Sequence, residues 1–192
     1  QFNPSHVGIK DFEATISVKA LKRDSLNATI RRLAFTEKSG VELKKIGVRL
    51  VADNNHLKID DFIIRFPNTT VALDNMEVSF DRLENLLQMT SDVHYNGELN
   101  ASLFLSDFSP LMPKLRGLTN PYHIKTSFCG KGKNFDLSDM SVSDSKNLEI
   151  HGNASILDWD AGRNMYLHAQ LTEFSLGDSS LKYLLNNLTG TV

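Results

Sequence analysis

The chain is 192 residues long, 41% hydrophobic and 23% charged, a size for one domain or two small ones and a composition that excludes disorder and fibrous repeats. With 21 basic against 23 acidic residues its formal net charge is −2, so it lacks the basic footprint of a nucleic-acid surface. A single cysteine, Cys129, rules out an internal disulfide framework and a thiolate zinc site, and leaves the redox compartment open.

The opening residues, Gln1-Phe2-Asn3-Pro4-Ser5-His6, have neither a basic n-region nor an apolar h-region. The longest apolar runs, such as Phe62-Ile63-Ile64, are too short to span a bilayer. We expect a segment of a longer chain whose targeting signals lie outside it.

Period-two alternation dominates the rest of the chain, in one recurring form: an apolar pair at i and i+2, two mostly polar residues, then another apolar pair. Ala28-Thr29-Ile30, Arg31-Arg32, Leu33-Ala34-Phe35 is one copy, and Val41-Glu42-Leu43, Lys44-Lys45, Ile46-Gly47-Val48 the next. Leu57-Lys58-Ile59, Asp60-Asp61, Phe62-Ile63-Ile64 and Val71-Ala72-Leu73, Asp74-Asn75, Met76-Glu77-Val78 come after them. The form returns at Phe135-Asp136-Leu137, Ser138-Asp139, Met140-Ser141-Val142 and at Ala169-Gln170-Leu171, Thr172-Glu173, Phe174-Ser175-Leu176. Leu103-Phe104-Leu105, Ser106-Asp107, Phe108 begins alike and breaks at Pro110.

Alternation keeps i and i+2 on one face of a strand, and two inserted residues flip the parity of the residues after them. A bulge or corner at the insert returns both apolar pairs to one side. The expected fold is therefore mainly β: an antiparallel sheet curled around one apolar concave surface, a taco-like groove or an elongated β-roll, with two or three short helices. Start positions 28, 41, 57 and 71 give an approximate period, as successive rungs of a stacked architecture do. Residues 1–192 read as one repetitive segment, with sub-repeats of about 1–95 and 96–192.

Three interruptions read as helices. Leu83, Leu86, Leu87 and Met89 follow Asp81; Ser109-Pro110 opens a second with Leu111, Leu115 and Leu118 along one side. Leu181, Leu184, Leu185 and Leu188 fall at i, i+3, i+4 and i+7, with Asp178 or Ser179 as N-cap and Gly190 as stop. Asp107-Phe108-Ser109 and Glu173-Phe174-Ser175 each end a strand before such a helix, which makes a second, coarser repeat.

No active site is legible. The six histidines (His6, His56, His94, His123, His151, His168) form no metal-binding spacing. Cys129-Gly130-Lys131-Gly132-Lys133 is followed by renewed alternation, so it reads as a hairpin turn and not as a phosphate cradle, which needs a helix after its glycines. Asp158-Trp159-Asp160-Ala161-Gly162 opens like a calcium loop, but Ala169 stands where the bidentate glutamate belongs. Neither a serine-nucleophile elbow nor an activating partner for Cys129 is present. Asn-x-Ser/Thr triplets begin at Asn27, Asn68, Asn100, Asn153 and Asn187; Asn27, Asn100 and Asn153 fall inside alternating strands, where chance polar spacing explains them as well as glycosylation does. The reading is a non-enzymatic chain without cofactor or metal.

From Asp11 to Phe80 the chain resembles the TamB group of the AsmA-like family. The resemblance rests on Ser25-Leu26-Asn27-Ala28-Thr29-Ile30, on Phe35-Thr36-Glu37-Lys38-Ser39-Gly40-Val41-Glu42-Leu43, and above all on Leu57-Lys58-Ile59-Asp60-Asp61-Phe62 followed by Pro67-Asn68-Thr69-Thr70-Val71. Asp107-Phe108-Ser109-Pro110 with Glu173-Phe174-Ser175 is similar to the family's coarser repeat. The resemblance covers most of the chain through patterns of residue class. It implies a periplasmic part of a Gram-negative envelope protein anchored in the inner membrane. It further implies an apolar groove that conducts phospholipid toward the outer membrane and supports outer-membrane assembly. A barrel partner in the outer membrane would engage parts of the parent protein outside this sequence.

An acyl chain needs a continuous apolar trough, and each buried methylene gains about 0.8 kcal/mol. The residues expected to line it are Val41, Leu43, Ile46, Val48, Leu57, Ile59, Phe62, Ile64, Val71, Leu73, Met76, Val78, Leu99, Leu103, Leu105, Leu167 and Leu171. The same residues serve equally as the core of a closed β-sandwich. The alternative is thus a sandwich binding module for a glycan or a protein, with Trp159, Tyr122 and Tyr166 as its candidate aromatics.

Overall fold

The computed structural model describes residues 8–22, 25–160, 162 and 165–187. Alternation produces ten strands: β1 (Ile9–Lys22), β2 (Ser25–Glu37), β3 (Glu42–Ala52), β4 (His56–Arg65), β5 (Thr70–Ser79), β6 (His94–Phe104), β7 (Pro121–Lys131), β8 (Asn134–Asp144), β9 (Leu148–Leu157) and β10 (Tyr166–Leu176). They form one sheet in sequence order, every neighbouring pair antiparallel. β1 and β10 do not pair with each other, so the sheet is open; the two-sheet sandwich does not form. Position 95 lies within β6, which is hydrogen-bonded to β5 and β7, so the ladder runs unbroken through that point.

The polar inserts are bulges. Where Arg31-Arg32 interrupts β2, Ile30 to Leu33 spans three residues opposite the two from Val48 to Ile46. Lys44-Lys45 in β3 does the same, Leu43 to Ile46 opposing Phe35 to Leu33, and so does Ser138-Asp139 in β8, Leu137 to Met140 opposing Ala154 to Gly152. Asp61, Asn75 and Asp139, the second residues of their inserts, take left-handed backbone at φ 55°, 52° and 52°. Asp and Asn tolerate that region best among residues with a side chain. Asp11, at φ 53°, marks an insert in β1, Lys10-Asp11 between Ile9 and Phe12. Asp60-Asp61 lies opposite Asp74-Asn75, with Ile59 facing Met76 and Phe62 facing Leu73; two matched inserts cancel, and the β4–β5 register runs without a shift.

Turns carry their own chemistry. Asp53 accepts the Asn55 and His56 amides at 3.1 and 2.8 Å, and these bonds, that from Asn55 first, hold its pKa below the ordinary value. Gly132, at φ 57°, closes the two-residue β7–β8 hairpin expected around Lys131-Gly132-Lys133.

Two helices form, α1 (Leu83–Gln88) and α2 (Asp178–Asn187). α1 ends on Met89 in left-handed conformation, and α2 begins on Asp178, while Leu188 and Gly190 lie outside the described residues. The helix expected at Ser109-Pro110 is replaced by two 3-10 turns, Leu105–Phe108 and Pro113–Leu115. Pro113 and Gly117 keep the apolar residues from running through a full α-helix. Consequently Asp107-Phe108 belongs to a turn, whereas Glu173-Phe174-Ser175 closes β10 just before α2.

Candidate functional site

Directly opposed residues of antiparallel strands share a face, so the register traces one apolar surface across the sheet. It passes from Ile46 to Ile64 and Val71, from Phe62 to Leu73, Leu99 and Thr126, and from Phe128 to Leu137, Ala154 and Ala169. Lys58, Glu77, Glu98 and Asp136 alternate with these residues and are exposed on the other face.

Over β4 to β8 this surface forms the floor of an open hollow of about 470 Å³. Six expected residues line it: Leu57 and Ile59 from β4, Leu73, Met76 and Val78 from β5, and Leu99 from β6. Leu86 and Met89 reach in from α1, and Trp159 from the β9–β10 connection. Val78, Phe80 and Val93 form a buried cluster beneath α1, at 4%, 3% and 0% exposure, against which Leu57, Ile59, Met76 and Tyr95 pack.

The floor depends on two glycine–aromatic pairs. Phe128 lies opposite Gly97 and Tyr95 opposite Gly130. A Cβ on Gly97 would stand 2.7 Å from the Phe128 ring, and one on Gly130 2.3 Å from Tyr95. Each ring thus lies across the strand beside it, which covers the glycine and widens the apolar floor. The Tyr95 hydroxyl donates to the carbonyls of Gly132 and Asn134 at 3.3 and 3.0 Å. Burial, then the nearby Asp136 and Cys129, raises its pKa. The Thr126 hydroxyl is likewise engaged with the Ser127 and Ser138 carbonyls.

The other expected lining residues lie elsewhere on the molecule. Phe62, Ile64, Val71 and Leu103 continue the same face toward the opposite strand ends, where Leu103 faces the buried Tyr122. Val41 precedes β3; Ile46 is half-buried, and Leu43 and Val48 are buried within β3. Leu105 opens a 3-10 turn. Leu167 and Leu171 lie on the edge strand β10 at 58% and 51% exposure.

The hollow also holds residues that the sequence reading did not select. Phe135 and Leu137 sit in a recognised copy of the repeat, so their signal was present. Tyr95, Thr126 and Phe128 come from strands β6 and β7, which have no polar insert within them; the broken copy of the repeat begins only at Leu103, near the end of β6. Leu86, Met89 and Trp159 arrive from connections whose placement is tertiary.

The far strand ends are closed by polar anchors. Asp107 accepts the amides of Asn68 and Thr69 at 3.0 and 2.7 Å and the Asn68 side chain at 2.8 Å. Partial burial acts to raise its pKa, and these hydrogen bonds outweigh it, so the carboxyl is held below the ordinary range. Phe66 and Phe108 meet edge-on at 5.1 Å, a favourable aromatic geometry. α2 is fixed by Ser180 donating to Asp144 at 3.0 Å and by the Tyr183 hydroxyl accepting the Asn120 amide at 2.7 Å.

On the opposite face a second hollow, about 530 Å³, is lined by Asn100, Ser102, His123, Lys125, Ser141 and Ser143 together with Ile124 and smaller residues, and by no Phe, Tyr or Trp. Tyr122 is buried, Trp159 lines the apolar hollow, and Tyr166 stands exposed on β10. The three aromatics of the binding-module alternative therefore do not gather on one surface. Among the described residues no group of three metal-ligating side chains converges, and no helix is long and apolar enough to cross a membrane.

No family model matches the chain, and no significant match is found among curated proteins or solved structures.

Proposed function

We propose that this chain is a non-enzymatic, periplasmic segment of a TamB-like envelope protein, whose apolar face carries phospholipid acyl chains between the inner and outer membranes and so supports outer-membrane assembly. The supporting observation is the hollow over β4 to β8, built from aliphatic and aromatic side chains with its two hydroxyls already bonded to backbone carbonyls. Such a surface holds an acyl chain by area alone. About ten buried methylenes gain about 8 kcal/mol before the costs of association. With no directional bond fixing the chain in one place, it slides along the face and is released again. The lining offers no carboxylate, imidazole or thiol for acid, base or nucleophilic chemistry. Contact with a barrel partner belongs, in this reading, to other parts of the parent protein.

Photo-crosslinking within the parent protein in cells tests the proposal. A photoreactive residue replaces Leu99, inside the hollow, or its neighbour Glu98, on the opposite face. We expect adducts of phospholipid mass at position 99 and none at 98. A folded protein that yields no lipid at 99 overturns the reading.

A further inference from the structure

We propose that the second hollow, on the face opposite the apolar surface, binds a small soluble phosphate ester, with Lys125 and His123 holding its phosphate group. The inference is independent of the apolar hollow, since a lipid held there lies on the other side of the sheet. Register builds the site as two adjacent rows. His123 stands between Ser102 of β6 and Ser143 of β8, and Lys125 between Asn100 and Ser141. Directly opposed residues bring their Cβ atoms to about 4.5–5.5 Å, and positions two apart on β7 point to one face. A lysine and a histidine thus stand side by side with a hydroxyl or amide on either flank, and all six line a volume of about 530 Å³.

Charge and hydrogen bonding select an anion. Elsewhere on the sheet Arg32, Lys44, Arg49, Lys58 and Lys133 each face a carboxylate. Among the described residues Lys125 pairs with none, and no carboxylate lines the hollow. The hydroxyls of Ser102, Ser141 and Ser143 likewise have no partner among the described residues. The Asn100 amide donates one hydrogen to Asp74 at 2.9 Å, which leaves its second for a ligand. The row through His123 continues across Thr70 to Arg65 and Lys45, and no carboxylate stands in either row from β3 to β8. Arg65 and Lys45 oppose each other directly, like charges that destabilise a strand pair and that together draw anions to this end of the face. A tetrahedral phosphate accepts from the ammonium, the imidazole N–H and the hydroxyls at once, whereas a planar carboxylate offers only two oxygens. The volume falls within the range of small-molecule sites, about 300–1,000 Å³. It exceeds what a phosphate alone needs, and Thr70 and Ala72, which also line it, leave room for the organic part of an ester.

Titration of the chain with glycerol phosphate at constant ionic strength, followed by amide NMR, tests the proposal. Saturable shifts should appear at Asn100, Ser102, His123, Lys125, Ser141 and Ser143. Lys125→Gln should raise the dissociation constant about tenfold, the equivalent of 1.4 kcal/mol, and Ser143→Ala about threefold. Lys58→Gln removes a lysine of the same face that is already paired with Asp60, and it should leave binding unchanged. Both lysines are exposed, so neither variant disturbs the core. Equal weakening by Lys58→Gln would reduce the binding to diffuse charge attraction and overturn the proposal. So would the absence of saturable shifts in the wild-type chain, where misfolding is not in question. Inorganic phosphate binding as tightly as the ester would also overturn it. The same holds if phosphatidylglycerol vesicles shift these amides and glycerol phosphate does not, since the phosphate recognised would then belong to a lipid surface.

Discussion

Asp61, Asn75 and Asp139 each stand second in a polar pair and each take positive φ, a conformation that costs roughly 1–2 kcal/mol in most residues with a Cβ. At Asp139 the carboxylate is not what the fold uses; its backbone amide donates to Asn153 Oδ1 at 3.1 Å. Asp139→Gly, which removes the Cβ, should change stability by less than about 0.5 kcal/mol, because relief of strain offsets the added chain entropy. Asp139→Val places a β-branched residue in the left-handed region and should lose about 1–2 kcal/mol or more. Urea denaturation of the two variants measures the difference, and a valine variant as stable as the glycine one would refute the account. The bulges were legible because parity and residue type agree: a polar pair between two apolar pairs has to turn, and Asp or Asn in second place can. Arg31-Arg32 and Lys44-Lys45 shift register as well but carry no left-handed residue, a local difference that charge and spacing alone do not encode.

At the level of elements, strands, the β7–β8 hairpin and helices α1 and α2 were legible, and where the connections pack was not. Helix α1 announces itself by leucine spacing, yet nothing local states that Leu86 and Met89 turn onto β4 and β5. The segment 105–118 has helical apolar spacing but folds as two 3-10 turns, since Asp107 is drawn to the β4–β5 turn by three hydrogen bonds. The β6–β7 pair illustrates a further limit. Gly97 and Gly130 weaken a strand when read singly, whereas the structure places each against an aromatic ring of the neighbouring strand. Gly130→Ala should cost about 1–3 kcal/mol through overpacking against Tyr95. The same substitution in a Tyr95→Ala background should lose most of that penalty, because the ring it displaces is gone. A double-mutant cycle measures the coupling, and strictly additive losses would show that the ring and the glycine do not interact.

Across the whole molecule each strand packs on its sequence neighbours, so the sheet behaves as a short one-dimensional array whose stability is summed from adjacent interfaces. The interior of that array has partners on both sides, and α1 covers the part around Val78, Phe80 and Val93. Among the described residues strands β1 and β10 have one neighbour each, and both carry exposed apolar rows. The anchors of α2 reach past β10, to Asp144 of β8 and to Asn120, just before β7. Amide hydrogen exchange in dilute solution should therefore be slowest in β5 to β7 and fastest in β1 and β10, as protection follows the free energy of local opening. Equal protection from edge to centre would mean that the sheet opens only as a unit and would refute the nearest-neighbour picture.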